Sequence, residues 1–125
     1  MWIKDMNEKK ALLEKLAIPD IMQESLERKG GFEALLEAIP DDDELVREVL
    51  LHKALSDPIR LRIMHALTHT NICPCVLKEI GGITDSKLSY HLSRLEGAGL
   101  IKYDKEKNWR LYHLTPLGLY VIRGH

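Results

Sequence analysis

Hydrophobic residues recur at helical spacing within residues 84–96, which have the sequence TDSKLSYHLSRLE. Leu88, Leu92 and Leu95 are separated by four and then three positions, so in a helix they lie on one face that can be buried. Thr84 suits the N-cap position, because its hydroxyl can accept a hydrogen bond from an amide of the first turn. The pattern therefore predicts an amphipathic helix, which the glycines that follow it would end.

The opposite face of this helix carries hydroxyl groups and positive charges. Such side chains reach phosphates and base edges without steric bulk, as the recognition helix of a DNA-binding protein requires. An ordinary amphipathic surface helix is the alternative, and the neighbouring segments favour DNA binding. His91 lies beside the leucine face, where we expect a half-buried helix contact or a phosphate contact. The predicted DNA contacts in this segment are Thr84, Ser86, Lys87, Ser89, Tyr90, His91, Ser93 and Arg94.

A short apolar helix is predicted immediately before this segment. It runs from Pro74 to Ile80, and Gly81-Gly82 forms the turn between the two helices. Residues 74–96 therefore follow the order helix, turn, helix. In a helix-turn-helix of this kind the second helix enters the major groove of DNA.

The residues after the recognition helix predict a β-hairpin. Residues 100–103 and 109–114 form two apolar strands, and a charged turn from Asp104 to Asn108 separates them. A basic hairpin directly after a recognition helix is a wing, which can neutralise phosphates along the DNA backbone. A solvated hairpin tip is the alternative. The basic residues predicted to contact DNA here are Lys102, Lys105, Lys107 and Arg110.

The N-terminal part of the chain is predicted to be helical. Residues 3–29 form one or two amphipathic helices broken near Pro19, and a shorter apolar turn follows at residues 32–39. We expect residues 1–40 to be a helical extension for packing or dimerisation and residues 41–125 to be the DNA-binding domain. The predicted fold class is mainly α with a small β-hairpin, a winged helix-turn-helix with an N-terminal helical extension.

Three more helices complete the predicted domain. Acidic residues at 41–44 suit the first turn of one helix, because they complement its dipole. Asp57 can cap the next, and Pro58 suits its first position, where a missing amide proton costs nothing. Arg60 is expected to project away from the apolar face of that helix. A final short helix follows Thr115 and ends near Arg123.

Charge is distributed unevenly along the chain. The whole sequence has a net charge of −1, yet residues 1–50 carry 7 basic and 13 acidic side chains, and residues 51–125 carry 11 and 6. The basic part contains the predicted recognition helix, as expected of a DNA-binding module with an acidic extension. No stretch approaches the roughly 18 consecutive apolar residues that span a bilayer. We therefore expect a cytoplasmic protein that does not enter a membrane.

The segment from Ala54 to Gly118 resembles the ArsR/SmtB family of winged-helix transcriptional regulators. The resemblance covers about half the chain and excludes residues 1–40. It is carried by the order and intervals of ALSDPIRLRIMHAL (54–67), CPCVLKEI (73–80), SYHLSRLEGAGLI (89–101) and RLYHLTPLG (110–118).

This resemblance implies a homodimeric repressor that binds operator DNA and releases it on sensing an effector. Two-fold symmetry would place two recognition helices about 34 Å apart, matching a palindromic site in double-stranded DNA. In the family, the helix before the winged core and the last helix build the dimer. The last helix is very short here, so the N-terminal extension is expected to supplement it.

Two cysteines, Cys73 and Cys75, lie at the predicted start of a helix. The positive end of a helix dipole lowers thiol pKa values, and thiolates select soft ions such as As(III), Cd, Pb, Zn or Cu(I). The resemblance strengthens this interpretation, because arsenic and cadmium sensors of the family carry Cys-x-Cys at this position. The third cysteine of the arsenic sensors is replaced by Lys78, and the chain has no N-terminal cysteine. A third ligand would come from His65, His69, His52 or the partner subunit.

Three hypotheses for these thiols remain open: a metal or metalloid sensor, a redox switch, or structural cysteines in a regulator with another effector or none. The sequence has no acid–base pair at a fixed spacing, no phosphate-binding glycine loop and no nucleophile elbow, so we do not expect an enzyme. A winged helix used for protein contacts is the alternative from another class. Salt dependence would distinguish it, since DNA binding weakens steeply with salt.

Overall fold

The computed structural model describes residues 6–124. The described helices and strands are α1 (Met6–Glu14), α2 (Asp20–Arg28), α3 (Gly31–Glu37), α4 (Asp42–Leu55), α5 (Pro58–Leu67), α6 (Pro74–Gly81), α7 (Asp85–Gly97), β1 (Ile101–Glu106), β2 (Trp109–Leu114) and α8 (Pro116–Ile122). The chain divides into two compact units, one ending at Val46 and the other beginning at Arg47. The assignment of the first forty residues as a packing or dimerisation extension stays a prediction.

The N-terminal unit consists of short helices in which α3 packs against both α1 and α2. The predicted break near Pro19 is confirmed, since Pro19 is the N-cap of α2. The shorter apolar turn expected at residues 32–39 is helical over most of its length, since α3 spans Gly31–Glu37. Gly30 and Gly31 adopt positive φ angles of 100° and 75°, a conformation that glycine adopts without steric cost, and the chain re-enters a helix directly after them.

The N-terminal unit leaves many apolar side chains in solvent. Leu36 is buried, whereas the large apolar side chains Leu12, Leu16, Ile21, Met22, Leu35 and Ile39 are exposed. Burying such side chains is the main favourable term in folding and association, so these exposed faces are suited to a further contact.

The C-terminal unit has one apolar core, formed where α5, α6, α7 and the hairpin meet. Its completely buried side chains are Ile63, Met64, Leu77, Leu95, Leu100 and Ile101. Ile72 adds a short β-bridge to Tyr112, with N–O distances of 3.1 and 2.9 Å, so the segment before α6 is joined to β2. The leucine face predicted for the recognition helix is confirmed, since Leu88 and Leu92 are also buried.

The predicted helix caps are present. An Asp57 carboxylate oxygen accepts the amide protons of Ile59 at 2.8 Å and Arg60 at 3.1 Å, and Pro58 occupies the first turn of α5. Burial raises the pKa of Asp57, but these amide hydrogen bonds and the nearby charge of Arg60 together hold that pKa below its usual value. The Thr84 hydroxyl accepts the Lys87 amide proton at 3.3 Å and caps α7.

The hairpin is longer and its turn tighter than predicted. β1 extends to Glu106 and pairs with Trp109, so the turn contains only Lys107 and Asn108 rather than five residues. The two-residue turn needs a left-handed backbone, and Lys107 provides it with a φ of 57°. The predicted charged turn therefore contributes Asp104 and Lys105 to a strand, where their side chains alternate between faces.

Gly118 in α8 packs directly on the backbone between α7 and β1. A Cβ at this position would overlap the carbonyl oxygen of Leu100. That oxygen also accepts the Thr115 amide proton at 3.0 Å, and the Thr115 hydroxyl in turn accepts the Gly118 amide proton at 3.0 Å. Neither backbone can move away without losing these bonds.

We predict that Gly118→Ala destabilises the C-terminal unit by about 1–3 kcal/mol, the usual cost of overpacking. Gly97→Ala is the matched control, because a Cβ at Gly97 meets nothing within 4 Å and the residue is the last of α7. The control should leave stability unchanged or raise it by up to about 1 kcal/mol. Urea denaturation followed by circular dichroism measures both. Equal effects of the two substitutions would contradict the packing described for Gly118.

Candidate nucleic-acid interface

The polar face of α7 is presented to solvent as the sequence predicted. Ser86, Lys87, Ser89, Tyr90, Ser93 and Arg94 are all exposed on α7, while the leucines on its other side are buried. The Arg94 guanidinium lies 5.1 Å from the centre of the Tyr90 ring, a distance at which the ring attracts the cation. The side chains of Tyr90 and Arg94 therefore stabilise each other's position on this face.

Thr84 begins this face, but its oxygen is already engaged. It accepts the Lys87 amide proton, and it lies 3.3 Å from the Ser86 hydroxyl. Its role in the structure is to cap α7 and to position the exposed residues that follow. A DNA contact from Thr84 stays a prediction.

The structure corrects the prediction that His91 contacts DNA. Its side chain is 7% exposed and lies inside the C-terminal unit, with Nδ1 at 2.8 Å from an Arg60 guanidinium nitrogen. A ring held there is not presented to DNA, so His91 leaves the set of candidate contacts. Burial lowers its pKa, the nearby charges of Arg60 and Lys87 lower it further, and the Asp57 carboxylate opposes them.

Arg60 is the partner that sequence reasoning missed. It was expected to project away from the apolar face of α5, yet it is 8% exposed. The spacing contained the signal, because Arg60 lies three and four positions before the buried Ile63 and Met64 and so shares their face. Three hydrogen bonds from its guanidinium compensate for the burial of this charge.

The hairpin places its basic residues on two different faces. Lys105 lies opposite Arg110 in the strand register, and Tyr103 lies opposite Tyr112 on the same face. Lys102 is on the other face, where it lies opposite His113. The four predicted wing contacts therefore do not share one surface. The face with Lys105 and Arg110 carries Tyr103 and Tyr112 and is called the aromatic face, whereas Trp109 lies on the other face with Lys102.

The aromatic face of the hairpin meets the C-terminal half of α7. The Tyr112 hydroxyl donates to a Glu96 carboxylate oxygen at 3.3 Å, and the Arg110 guanidinium lies 4.8 Å from the Tyr103 ring centre. Burial raises the pKa of Tyr112, and the Glu96 charge adds to this. Sequence reasoning missed both Tyr112 and Glu96, because the contact depends on how the hairpin docks.

A cleft of about 600 Å³ separates α7 from the wing. Ser89 and Ser93 from the polar face of α7 and Arg110 from the wing line it, together with two carboxylates, Asp85 and Glu96. Each carboxylate has a partner, since Asp85 pairs with Lys78 at 3.3 Å and Glu96 accepts from Tyr112. The Lys78 ammonium offsets the charge of Asp85, whereas the Tyr112 hydroxyl is neutral and leaves the negative charge of Glu96 at this end of the cleft.

The two cysteines converge at the start of α6. Cys73 is the N-cap residue with extended backbone, Cys75 lies in the first turn, and their sulfur atoms are 3.1 Å apart. The hydrogen bond from the Cys75 thiol lowers the pKa of Cys73, and the Val76 amide adds to this effect. The same hydrogen bond raises the pKa of Cys75. The pair therefore carries its first negative charge on Cys73.

The predicted third metal ligand is not brought to the thiols. Within residues 6–124 no group of three His, Cys, Asp or Glu side chains could hold a metal ion, so neither His65 nor His69 of the same chain lies with the thiols, and a third ligand stays a prediction. Both histidines are exposed: His65 lies outside the buried face of α5, and His69 follows the end of that helix. The described part of the chain supplies two thiols, which fit a soft ion but do not complete its coordination.

The order of helices, the exposed polar face of α7 and the hairpin that docks against it define a winged helix-turn-helix. A model of the family described as "Bacterial regulatory protein, arsR family" matches residues 57–103. The chain belongs to this family. No helix among the described residues is long and apolar enough to cross a membrane.

Relatives agree with this assignment, and a solved structure agrees with the fold. The arsenical resistance operon repressor of Bacillus subtilis is 46% identical over 64 residues, which cover 50% of this chain and 61% of that protein. A helix-turn-helix transcriptional regulator of Methanocaldococcus jannaschii is 32% identical over 66 residues, which cover 52% of this chain and 74% of that protein. A homodimeric winged helix-turn-helix DNA-binding domain from Mycobacterium bovis superposes with a TM-score of 0.61 at 19% identity, covering 67% of this chain and 82% of that domain.

We predict that alkylation near neutral pH modifies Cys73 faster than Cys75, because the thiolate is the nucleophile. Cys75→Ala should slow modification of Cys73, since it removes the hydrogen bond that lowers the Cys73 pKa. Cys73→Ala is the matched control with the opposite sign, because it removes the cause that raises the Cys75 pKa. Peptide mass spectrometry after timed iodoacetamide treatment measures the rates. Equal and unchanged rates at both positions would show that the thiols do not interact.

Proposed function

We propose that this protein is a homodimeric transcriptional repressor that binds a palindromic operator in double-stranded DNA. The observation that carries the proposal is the exposed polar face of α7 beside the aromatic and basic face of the wing. Side chains on α7 would contact base edges and phosphates in the major groove, and the wing cations would neutralise adjacent phosphates. Membership of the family and the name of the Bacillus subtilis relative support repression as the outcome.

Apolar surface on the C-terminal unit supports a dimer. Val49 and Leu50 on α4 and Leu117 on α8 are large apolar side chains that are exposed in the single chain. The similar Mycobacterium bovis domain is described as homodimeric. A two-fold contact that buries such surface would also set the distance between two recognition helices, which must match the operator half-sites.

We propose that Cys73 and Cys75 sense the effector as thiolate ligands of a soft metal or metalloid ion. The 3.1 Å sulfur separation and the lowered pKa of Cys73 support this, as does the arsenical resistance relative. The remaining ligand would come from the partner subunit or solvent. A redox switch at the same thiols is the second candidate, and the sulfur proximity favours it, since little movement would bring the atoms to bonding distance.

A path for this signal lies in the contact between α6 and α7. The thiols are at the start of α6, and Lys78 near its end pairs with Asp85 in the first turn of α7. An ion at the cap of α6 would pull on that helix and tilt α7 relative to its dimer mate. A coupling of about 1–3 kcal/mol is typical of allostery and would weaken operator affinity about 5- to 150-fold.

We predict that Lys87→Ala/Arg94→Ala lowers operator affinity at least about tenfold without unfolding the protein.

We predict that Lys105→Ala weakens binding to specific and non-specific DNA about equally and reduces the slope of log affinity against log salt concentration by about one. Lys102→Ala is the matched control, because it removes the same charge from the other face of the hairpin. Fluorescence anisotropy over a salt series measures each variant.

Three outcomes of this titration would contradict the proposed interface. Unchanged affinity in the folded α7 double variant would show that α7 is not the recognition helix. Equal effects of the Lys105 and Lys102 substitutions would show that the wing does not bind through its aromatic face. Binding that does not respond to salt would indicate a protein-interaction module instead.

We predict that As(III) or Cd releases the wild-type protein from its operator, and that Cys73→Ser/Cys75→Ser does not respond. The titration is repeated anaerobically with Zn and, separately, with an oxidant. Release by oxidant alone would support the redox candidate. A double variant that responds as strongly as wild type would show that the thiols are not the sensor, and the protein would then be a regulator with another effector.

A further inference from the structure

Arg60 is a buried cation that joins three helices of the C-terminal unit. From the first turn of α5 its Nε donates to the Ala54 carbonyl at 2.6 Å, and Nη2 donates to the Lys53 carbonyl at 3.1 Å. Both carbonyls belong to the last turn of α4, where a helix leaves acceptors without intrahelical partners. Nη1 lies 2.8 Å from Nδ1 of His91 in α7. One side chain thus ties the recognition helix to the end of α4.

The bond to His91 requires a neutral ring in one tautomer. A guanidinium can only donate hydrogen bonds and stays protonated, so Nδ1 must be the acceptor and must carry no proton. The ring proton is therefore on Nε2. A second proton on His91 would remove the acceptor and place two cations 2.8 Å apart in a buried site.

His91 lies directly behind the candidate DNA-contacting side chains. Its ring meets the Tyr90 ring edge-on with the centres 5.3 Å apart, and Tyr90 in turn holds the Arg94 guanidinium. A cleft of about 530 Å³ beside these residues is lined by Arg60, Tyr90, Ser93 and Arg94 among others.

We propose that Arg60 is a positioning residue that fixes the recognition helix through neutral His91, and that protonation of His91 releases this helix from α4. The proposal rests on the proposed DNA-binding function. It adds a second control of operator affinity, by acid, that does not involve the thiols. The charged groups that face the ring are Arg60 and Asp57 from the start of α5 and Lys87 from α7.

The direction of the pH effect follows from the lowered pKa of His91. An ordinary histidine titrates near pH 6.5 in an unfolded chain. Because the folded protein holds the pKa lower, the contribution of the neutral ring to stability is complete above about pH 6.5. It is lost as the pH falls through the lowered value. Operator affinity should follow the same direction, since it depends on the same contact.

The test compares two substitutions of His91. His91→Asn places an amide oxygen near the position of Nδ1, so it keeps an acceptor for Arg60 but cannot titrate. His91→Leu removes the acceptor and leaves a buried guanidinium nitrogen unpaired. His113→Asn is the control, because it replaces a histidine whose Nδ1 lies near a backbone carbonyl and not near Arg60. Operator affinity is measured from about pH 7.5 down to about pH 5, because the folded protein holds the pKa of His91 below the ordinary histidine value.

We expect the affinity of wild type, relative to His91→Asn, to fall at least about fivefold on acidification, with the two nearly equal at the higher pH. His91→Leu should bind weakly at both pH values. His113→Asn should keep the pH dependence that wild type shows relative to His91→Asn. The same pH profile in wild type and His91→Asn would overturn the proposal.

A DNA-independent measurement separates this proposal from the proposed function. Nitrogen NMR of the His91 ring should show the proton on Nε2, and α7 amide signals should move on acidification in wild type but not in His91→Asn. A proton on Nδ1, or equal movement in both proteins, would overturn the positioning role. If these signals behave as expected but no form binds DNA, the proposed DNA-binding function fails, and what survives is the contact between α7 and α4.

Discussion

The buried leucine face of α7 is the constraint on which the rest of the C-terminal unit depends. Leu88, Leu92 and Leu95 pack against α5, α6 and the start of β1, and each such side chain stabilises the fold by about 1.5–3 kcal/mol on burial. Because a helix turns its other residues outward when one face is buried, this packing decides which side chains reach solvent. The polar surface proposed for DNA is a consequence of the core.

Polar contacts then fix the orientation of α7, whose position the apolar core determines. Arg60 and His91 hold one side of α7, and Tyr112 and Glu96 hold the other against the wing. Unlike apolar packing, these bonds are directional, and breaking the Arg60–His91 contact leaves a buried polar group unpaired at a cost of about 1–3 kcal/mol. Two directional contacts on opposite flanks give the helix a defined position, which a spacing-sensitive operator contact needs.

The thiols and the buried histidine would act on the same helix from different neighbours. Cys73 and Cys75 lie at the start of α6, which contacts α7 through the core and the Lys78–Asp85 pair. His91 lies within α7 and is held by Arg60. A soft ion or oxidant and a proton are chemically different inputs, yet each would change the position of one element. Under both proposals, the position of α7 is what the effector or the proton changes.

The sequence by itself determined the helices, their caps, the helix-turn-helix order and the existence of the hairpin, because these features depend on interactions between residues that are near in sequence. Leucine periodicity and helix caps such as Asp57 and Thr84 depend on residues close together in the sequence, so they can be predicted without knowledge of the tertiary structure. Only tertiary structure decided that Arg60 meets His91, 31 positions away, and that Lys102 and Lys105 lie on different faces. It also decided that neither His65 nor His69 reaches the thiols. Such contacts depend on how elements dock, and docking is set by the whole core.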